Sequence, residues 1–200
     1  RTVFDNSIIK NKLNKKNIEK FIIFHPSSQY EYKVYPRKLR DKLLNHLDSL
    51  EIPIIITGGD NKIDQRIKLE IPQLKNIYNF IGETSLKDYI VLSKLAMAYI
   101  GMDTLNMHIA ASQNKRIFAI FGSTRLSMWS PWSNQLKKSA SINKPIQTYG
   151  KSTVFQSPLP CNVCGMLGCG NNHGKNEFPE GIDPMKVFNQ IENWYQKNIS

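Results

Sequence analysis

The sequence predicts an α/β fold, a Rossmann-like parallel sheet with helices on both faces. Three observations carry this. Apolar runs of four to six residues recur along residues 21–124. Each stops abruptly at a turn rich in Gly, Ser, Thr or Asp. Most of these turns lead into a stretch with helical periodicity. Strand, polar turn and helix in repeated alternation predict right-handed crossovers and a parallel sheet.

The elements follow in order. Residues 1–20 are rich in Lys and Asn and read as a solvated lead-in. Phe21-Ile22-Ile23-Phe24 is a buried-strand pattern that stops at His25-Pro26-Ser27-Ser28. Pro36 suits a helix first turn, and Leu39, Leu43, Leu47 and Leu50 follow at helical spacing. Pro53-Ile54-Ile55-Ile56-Thr57 is the next strand, cut off by Gly58-Gly59-Asp60, and a polar helix is expected over residues 62–70. Ile77 to Ile81 reads as a shorter strand closed by Gly82-Glu83-Thr84. Ser85 and Asp88 form an acidic variant of the capping box ahead of another helix.

Ala96 to Ile100 reads as a strand and leads into Gly101-Met102-Asp103-Thr104-Leu105-Asn106-Met107-His108. Asp103 and Thr104 are both good N-cap residues, and His108 lies one turn after Thr104 on the same helix face. A strand that feeds straight into a helix presents free N–H groups and a positive dipole end, which suits an anion. The structural alternative is that Asp103 only caps and His108 only packs. Arg116 to Phe121 is a further strand, ending at Gly122-Ser123-Thr124. In open α/β sheets ligands bind at the carboxyl ends of strands, where all five polar turns are expected to meet on one rim. No G-x-G-x-x-G and no Walker lysine loop is present.

These elements place a Rossmann-like domain at residues 21–140 and an irregular, Cys-containing region at 141–182. Residues 183–199 form an amphipathic closing helix, entered through Asp183-Pro184. Cys161, Cys164, Cys169 and His173 have a spacing that can wrap a tetrahedral structural zinc or iron; a loop that keeps cysteines without metal is the alternative. Three clustered cysteines argue against a disulfide framework and for a reducing compartment.

Composition sets the outer bounds. The chain has 200 residues, 40% apolar and 22% charged, and carries a net charge of +11. One core with a small appendage fits that length. The charge implies an anionic partner. No apolar run reaches the ~20 residues a membrane-spanning helix needs, and no signal peptide is apparent. The chain opens at Arg1-Thr2-Val3 without an initiator Met, which reads as a fragment.

The order of motifs resembles the C-terminal half of glycosyltransferase family 9, the heptosyltransferases. The family's His-Pro-small-Ser and Lys-x-Trp-Pro match His25-Pro26-Ser27-Ser28 and Lys33-Val34-Tyr35-Pro36, with Tyr for Trp. Its Gly-Gly turn matches Gly58-Gly59, and Gly-x-Thr-Ser-Leu matches Gly82 through Leu86. Its hallmark Asp-Ser/Thr-Gly-x-x-His-x-Ala-Ala matches Asp103 through Ala111. Phe-Gly-x-Thr and Trp-x-Pro match Phe121 through Thr124 and Trp129 through Pro131. The likeness spans roughly residues 21–199, and a cysteine-bearing loop is common near this family's end.

The resemblance implies one half of a two-domain GT-B enzyme, binding a nucleotide-sugar donor such as ADP-heptose and needing no cofactor for transfer. Ser27 and Ser28 would hydrogen-bond the diphosphate and Lys33 would neutralise it. Asp103 would hold sugar hydroxyls, Thr104 and the helix N-terminus would take phosphate oxygens, and His108 would support that turn or touch phosphate; Thr84 would lie near the nucleoside, and Thr57 and Gly58 would complete the donor site. The partners implied are an anionic glycan or glycolipid acceptor, such as lipopolysaccharide core, and an N-terminal domain that carries the catalytic base. The place implied is the cytoplasm, at the inner membrane face. Leu105 stands where the hallmark has Gly, and Lys62 where an acid is expected, a place that Asp60 or Asp64 could take instead. These departures suggest a non-catalytic nucleotide-binding or scaffold relative as the first alternative. The charge and cysteines suggest a metal-knuckle nucleic-acid-binding protein as the second, although nucleic acid is not expected under the main reading.

Overall fold

A computed structural model describes residues 7–157 and 181–199. In chain order the elements are α1 (Ser7–Asn14), β1 (Ile22–His25), a 3-10 turn (Glu31–Lys33), α2 (Arg37–Asp48), β2 (Ile54–Ile56) and α3 (Lys62–Glu70). There follow β3 (Ile77–Asn79), α4 (Leu86–Leu95), β4 (Ala98–Met102), α5 (Leu105–Ser112), β5 (Arg116–Phe121) and α6 (Leu126–Trp129). The hairpin β6 (Ile146–Tyr149) and β7 (Ser152–Gln156) and the closing helix α7 (Pro184–Ile199) complete the set.

The strands form one sheet in the order β3-β2-β1-β4-β5-β7-β6. All neighbours pair parallel except β6 with β7. The strand order reverses between β1 and β4, where Phe24 pairs with Ile100 and His25 with Gly101. Gly101 is required there, because a β-carbon would lie 2.5 Å from the His25 carbonyl oxygen.

Both faces of the sheet are covered, which is why the inner strands read as continuous apolar runs rather than alternating ones. On one face Ile22, Phe24, Ile54, Ile56, Ile100 and Phe118 pack with Leu43, Leu47, Ile67, Val187 and Ile191 from α2, α3 and α7. On the other, Ile23, Ile55, Tyr99, Ile117 and Phe121 pack with Ile9, Leu13, Leu92, Met107 and Ala110 from α1, α4 and α5. Each such aliphatic side chain contributes roughly 1.5–3 kcal/mol through burial.

Local signals set several helix ends. Asn61 caps α3 by accepting from the N–H groups of Ile63 and Asp64. Ser85 and Asp88 make the reciprocal capping box of α4. At α7, Asp183 Oδ1 accepts from Met185 N at 2.9 Å.

Two stretches differ from the expectation. The lead-in is not wholly solvated: Ser7–Asn14 is a helix whose Ile9 and Leu13, one turn apart, are buried. The region expected to be irregular from residue 141 contains β6 and β7, which extend the sheet. In β7 the buried Thr153 is satisfied within the sheet, its Oγ1 lying 2.8 Å from Thr148 Oγ1 and accepting from Arg116 at 2.6 Å.

Candidate functional site

The carboxyl ends of β1, β2 and β4 enclose an open cleft of about 780 Å³ at the point where the strand order reverses. This is where open α/β sheets bind ligands, and the volume suits a cofactor-sized molecule. Ser27 and Ser28 come from the β1 turn, Lys33 from the 3-10 turn beyond it, and Asp103 and Thr104 from the β4–α5 junction.

Lys33 Nζ and Asp103 Oδ2 pair at 3.3 Å, with side-chain exposures of 20% and 7%. Ser27 and Ser28 are buried, and Ser28 Oγ accepts from Tyr30 N at 3.5 Å, a weak contact. Thr104 occupies the N-cap position of α5, but its hydroxyl accepts from none of the helix N–H groups. The first turn of α5 therefore keeps donors for an external acceptor, and its dipole end adds positive potential.

His25 and Asn106 also line the cleft. His25 Nδ1 lies 3.1 Å from Thr57 Oγ1 and 2.9 Å from Asn106 Nδ2. Burial lowers the His25 pKa from 6.5 to about 4, against smaller opposing effects of the Asp64 carboxylate and the Thr57 backbone, so the ring is neutral at pH 7. Asp64 itself is buried; Asn61 donates to its Oδ2, and its Oδ1 has no hydrogen-bond partner among the described residues. A β-carbon on Gly58 would come to 2.5 Å from Asp64 Oδ1, so a larger residue there must displace that carboxylate.

The sequence-derived residues divide. Ser27, Ser28, Lys33, Asp103 and Thr104 meet in the cleft, whereas Thr57, Gly58, Thr84 and His108 do not line it. Thr57 supports His25 from below. Gly58 and Gly82 join the β2 and β3 turns through a 3.0 Å backbone bond. The five turns all follow the carboxyl ends of parallel strands, but they do not share one cleft. Three line the cleft; Ser123 and Thr124 line an adjoining cavity of about 340 Å³ that shares Lys33; Gly82 through Thr84 lie outside both. Sequence reasoning gave no site role to Asn61 or Asn106. Their one signal is an Asn in the first positions of a helix that follows a strand. Lys62 and Leu105, the two departures from the hallmark, both line the cleft, and Leu105 is 61% exposed.

The lining mixes cations with carboxylates. Lys33, Lys62 and the α5 N-terminus attract phosphate oxygens, while Asp103 can accept hydrogen bonds from hydroxyl groups. Such a set suits a ligand that is anionic at one end and polyhydroxylated at the other. Cys161, Cys164, Cys169 and His173 lie outside the described residues. Among the described residues no group of three or more His, Cys, Asp or Glu could hold a metal. No helix among them is long and apolar enough to cross a membrane.

A doubly covered parallel sheet with a phosphate-compatible cleft at its reversal point defines a Rossmann-like α/β class. Residues 4–157 match the model of glycosyltransferase family 9 (heptosyltransferase), and the chain belongs to that family. It is similar to lipopolysaccharide heptosyltransferase 3 of Escherichia coli, with 24% identity over 121 residues, covering 59% of this chain and 36% of that protein. In fold it is similar to the Escherichia coli ADP-heptose lps heptosyltransferase II, with a TM-score of 0.67 and 17% identity over 98% of this chain and 53% of that one. It is also similar to Escherichia coli heptosyltransferase WaaC with ADP, with a TM-score of 0.59 and 15% identity over 96% and 50% of the two chains. The chain thus spans about a third to a half of these proteins.

Proposed function

We propose that this chain is the nucleotide-sugar donor-binding, C-terminal half of a GT-B glycosyltransferase. The whole enzyme would move a sugar from an ADP-heptose-type donor to a cell-surface glycan such as lipopolysaccharide core. The observation that carries this reading is the meeting of Ser27, Ser28, Lys33, Asp103 and Thr104 in one cleft at the β1/β4 reversal. The relative solved with ADP supports the nucleotide assignment by likeness of fold.

In this reading the diphosphate lies over the α5 N-terminus. Lys33 leaves Asp103 to pair with phosphate oxygens, and Ser27, Ser28 and Thr104 donate hydroxyl hydrogen bonds to them. The freed Asp103 carboxylate accepts from the sugar's hydroxyls. Thr57 and Gly58 act indirectly, by holding His25 and Asp64 in place. His108 supports the α5 turn from behind, and Thr84 approaches the nucleoside only at the outer margin. When the bond from the anomeric carbon to the diphosphate oxygen breaks, negative charge gathers on the leaving group, where the lysine and helix end stabilise it. The acceptor hydroxyl's proton needs a base, which we assign to an N-terminal half; this chain alone binds donor without turnover. An anionic glycolipid acceptor at the cytoplasmic face of the inner membrane suits the charge of +11. Transfer needs no cofactor. The cysteine loop is tested separately by metal analysis of the purified protein, where about one equivalent of zinc or iron is expected for a single site.

Thermal shift with ADP, UDP and an oligonucleotide tests the function. ADP should raise the melting temperature in a saturable way and UDP should raise it less. Stabilisation by the oligonucleotide alone would overturn the assignment in favour of a nucleic-acid-binding protein.

A further inference from the structure

The opposite edge of the sheet carries a second concentration of charge. Gln113, Asn114, Lys115 and Arg116 lead into β5, and Lys151 precedes β7, so these residues gather at the amino ends of the strands. With Asn198 of α7 they line a cavity of about 740 Å³. Strands of five or six residues separate it from the donor cleft, roughly 17–20 Å away.

Among the described residues these cations have no acidic partners: none of Lys94, Lys115, Arg116 and Lys151 makes an ion pair. Lys115 Nζ is held instead by the carbonyl oxygens of Lys94 and Ala96, at 2.5 and 2.7 Å, and Lys151 Nζ by that of Asn114 at 3.3 Å. Arg116 donates once to Thr153 Oγ1, at 2.6 Å, and its buried Nε has no acceptor. Burial pushes the Arg116 pKa down to about 10; burial, then the Lys151 and Lys94 ammoniums, push Lys115 down. The contrast with Arg40 is direct. That fully buried arginine is given two carboxylates, Asp41 at 3.0 Å and Glu70 at 3.2 Å. At Arg116 the described residues supply none; the guanidinium lies over the Phe118 ring, 4.3 Å from its centroid, and its edge retains donors that fit an oxyanion.

We propose that this amino-edge cavity binds a phosphate-class oxyanion, with Arg116, Lys115 and Lys151 as its cationic wall. The neutral amides of Gln113, Asn114 and Asn198 complete the lining. An anion there relieves the repulsion among the clustered cations. The ligand source is either free phosphate or the phosphate headgroup of an anionic lipid. The site is separate from the donor cleft and stands whether or not that cleft binds a nucleotide.

Residue-resolved amide NMR of the full chain titrated with inorganic phosphate tests it, alongside co-sedimentation with phosphatidylglycerol and phosphatidylcholine vesicles. Saturable shifts at residues 113–116 and 150–152 are expected, weakened about tenfold in Lys151→Gln and unchanged in Lys33→Ala. That outcome assigns free phosphate. Co-sedimentation with phosphatidylglycerol only, lost in Lys151→Gln, assigns the lipid source. Shifts confined to residues 27–28 and 103–106 without vesicle binding, or no response to either ligand, would overturn the proposal. Arg116→Gln is a second variant; because Lys151 is exposed, Lys151→Gln serves if the Arg116 change impairs folding.

Discussion

Lys33 Nζ rests 3.3 Å from Asp103 Oδ2, a contact between residues seventy positions apart in sequence. The pair spans the reversal point, with its lysine beyond β1 and its aspartate at the end of β4. Its largely buried carboxylate makes it more than a surface ion pair, and either partner can be drawn away by a ligand of the right charge.

Lys33→Ala should therefore act unequally on ligands. Affinity for ADP is expected to fall about tenfold or more, while affinity for adenosine holds, because the lost contact is to phosphate. Calorimetric titration of both ligands checks this, and equal losses would remove the phosphate role. The unliganded variant should also lose about 1–3 kcal/mol of stability, since Asp103 is left without its cation.

His25 sets a pH dependence. Its pKa of about 4 in the folded chain lies below the usual 6.5. Between those values the unfolded chain binds a proton that the folded chain excludes. Stability is fully present above pH 6.5 and falls as pH drops towards 4, by up to roughly 1.4 kcal/mol per pH unit. Denaturant unfolding at pH 7 and pH 4.5 should show a smaller loss for His25→Gln than for the parent chain. Equal losses would mean that His25 is not excluding the proton.

Gly101→Ala should destabilise by about 3 kcal/mol through overpacking. Its β-carbon would meet the His25 carbonyl oxygen at 2.5 Å and Tyr99 Oη at 2.7 Å, and strand backbone cannot yield as a flexible side-chain tip can. Thermal unfolding measures the effect, and a stability change within about 0.5 kcal/mol would show that β1 and β4 can separate there.

Arg40 offers an asymmetric test. Glu70→Ala leaves a buried guanidinium short of one carboxylate and should cost about 2–3 kcal/mol, whereas Arg40→Met removes the buried charge and should cost less. Urea unfolding of the two variants gives the order directly.

The parallel core was legible because its strands are buried on both faces and so are apolar without interruption, as in Ile54-Ile55-Ile56 and Ile117 through Phe121. The β6–β7 hairpin was not. β7 buries Ser152, Thr153 and Gln156 beside only two apolar residues, and hydrogen bonds such as Gln156 Nε2 to Thr124 O at 3.2 Å replace the missing hydrophobic signal. In α1 the Ile9/Leu13 spacing was present but hidden among lysines. In the cleft, Ser27, Ser28, Lys33, Asp103 and Thr104 were legible from their places beyond strand ends. Asp64 was named only as a substitute acid, and its packing against Gly58 depends on how α3 docks, which no local pattern encodes. The lateral offset of the Gly82 turn follows from strand order, with β3 outermost.

The sheet's borders have a bearing on how the chain behaves at high concentration. Among the described residues, one border is β3, three residues long, and the other is the four-residue β6 running against its neighbour. Each offers only a brief ladder of open backbone groups, too short to recruit a strand from another molecule in stable register. Resistance to fibril-like association is thus built into the short outer strands, while the long apolar ones stay sealed inside.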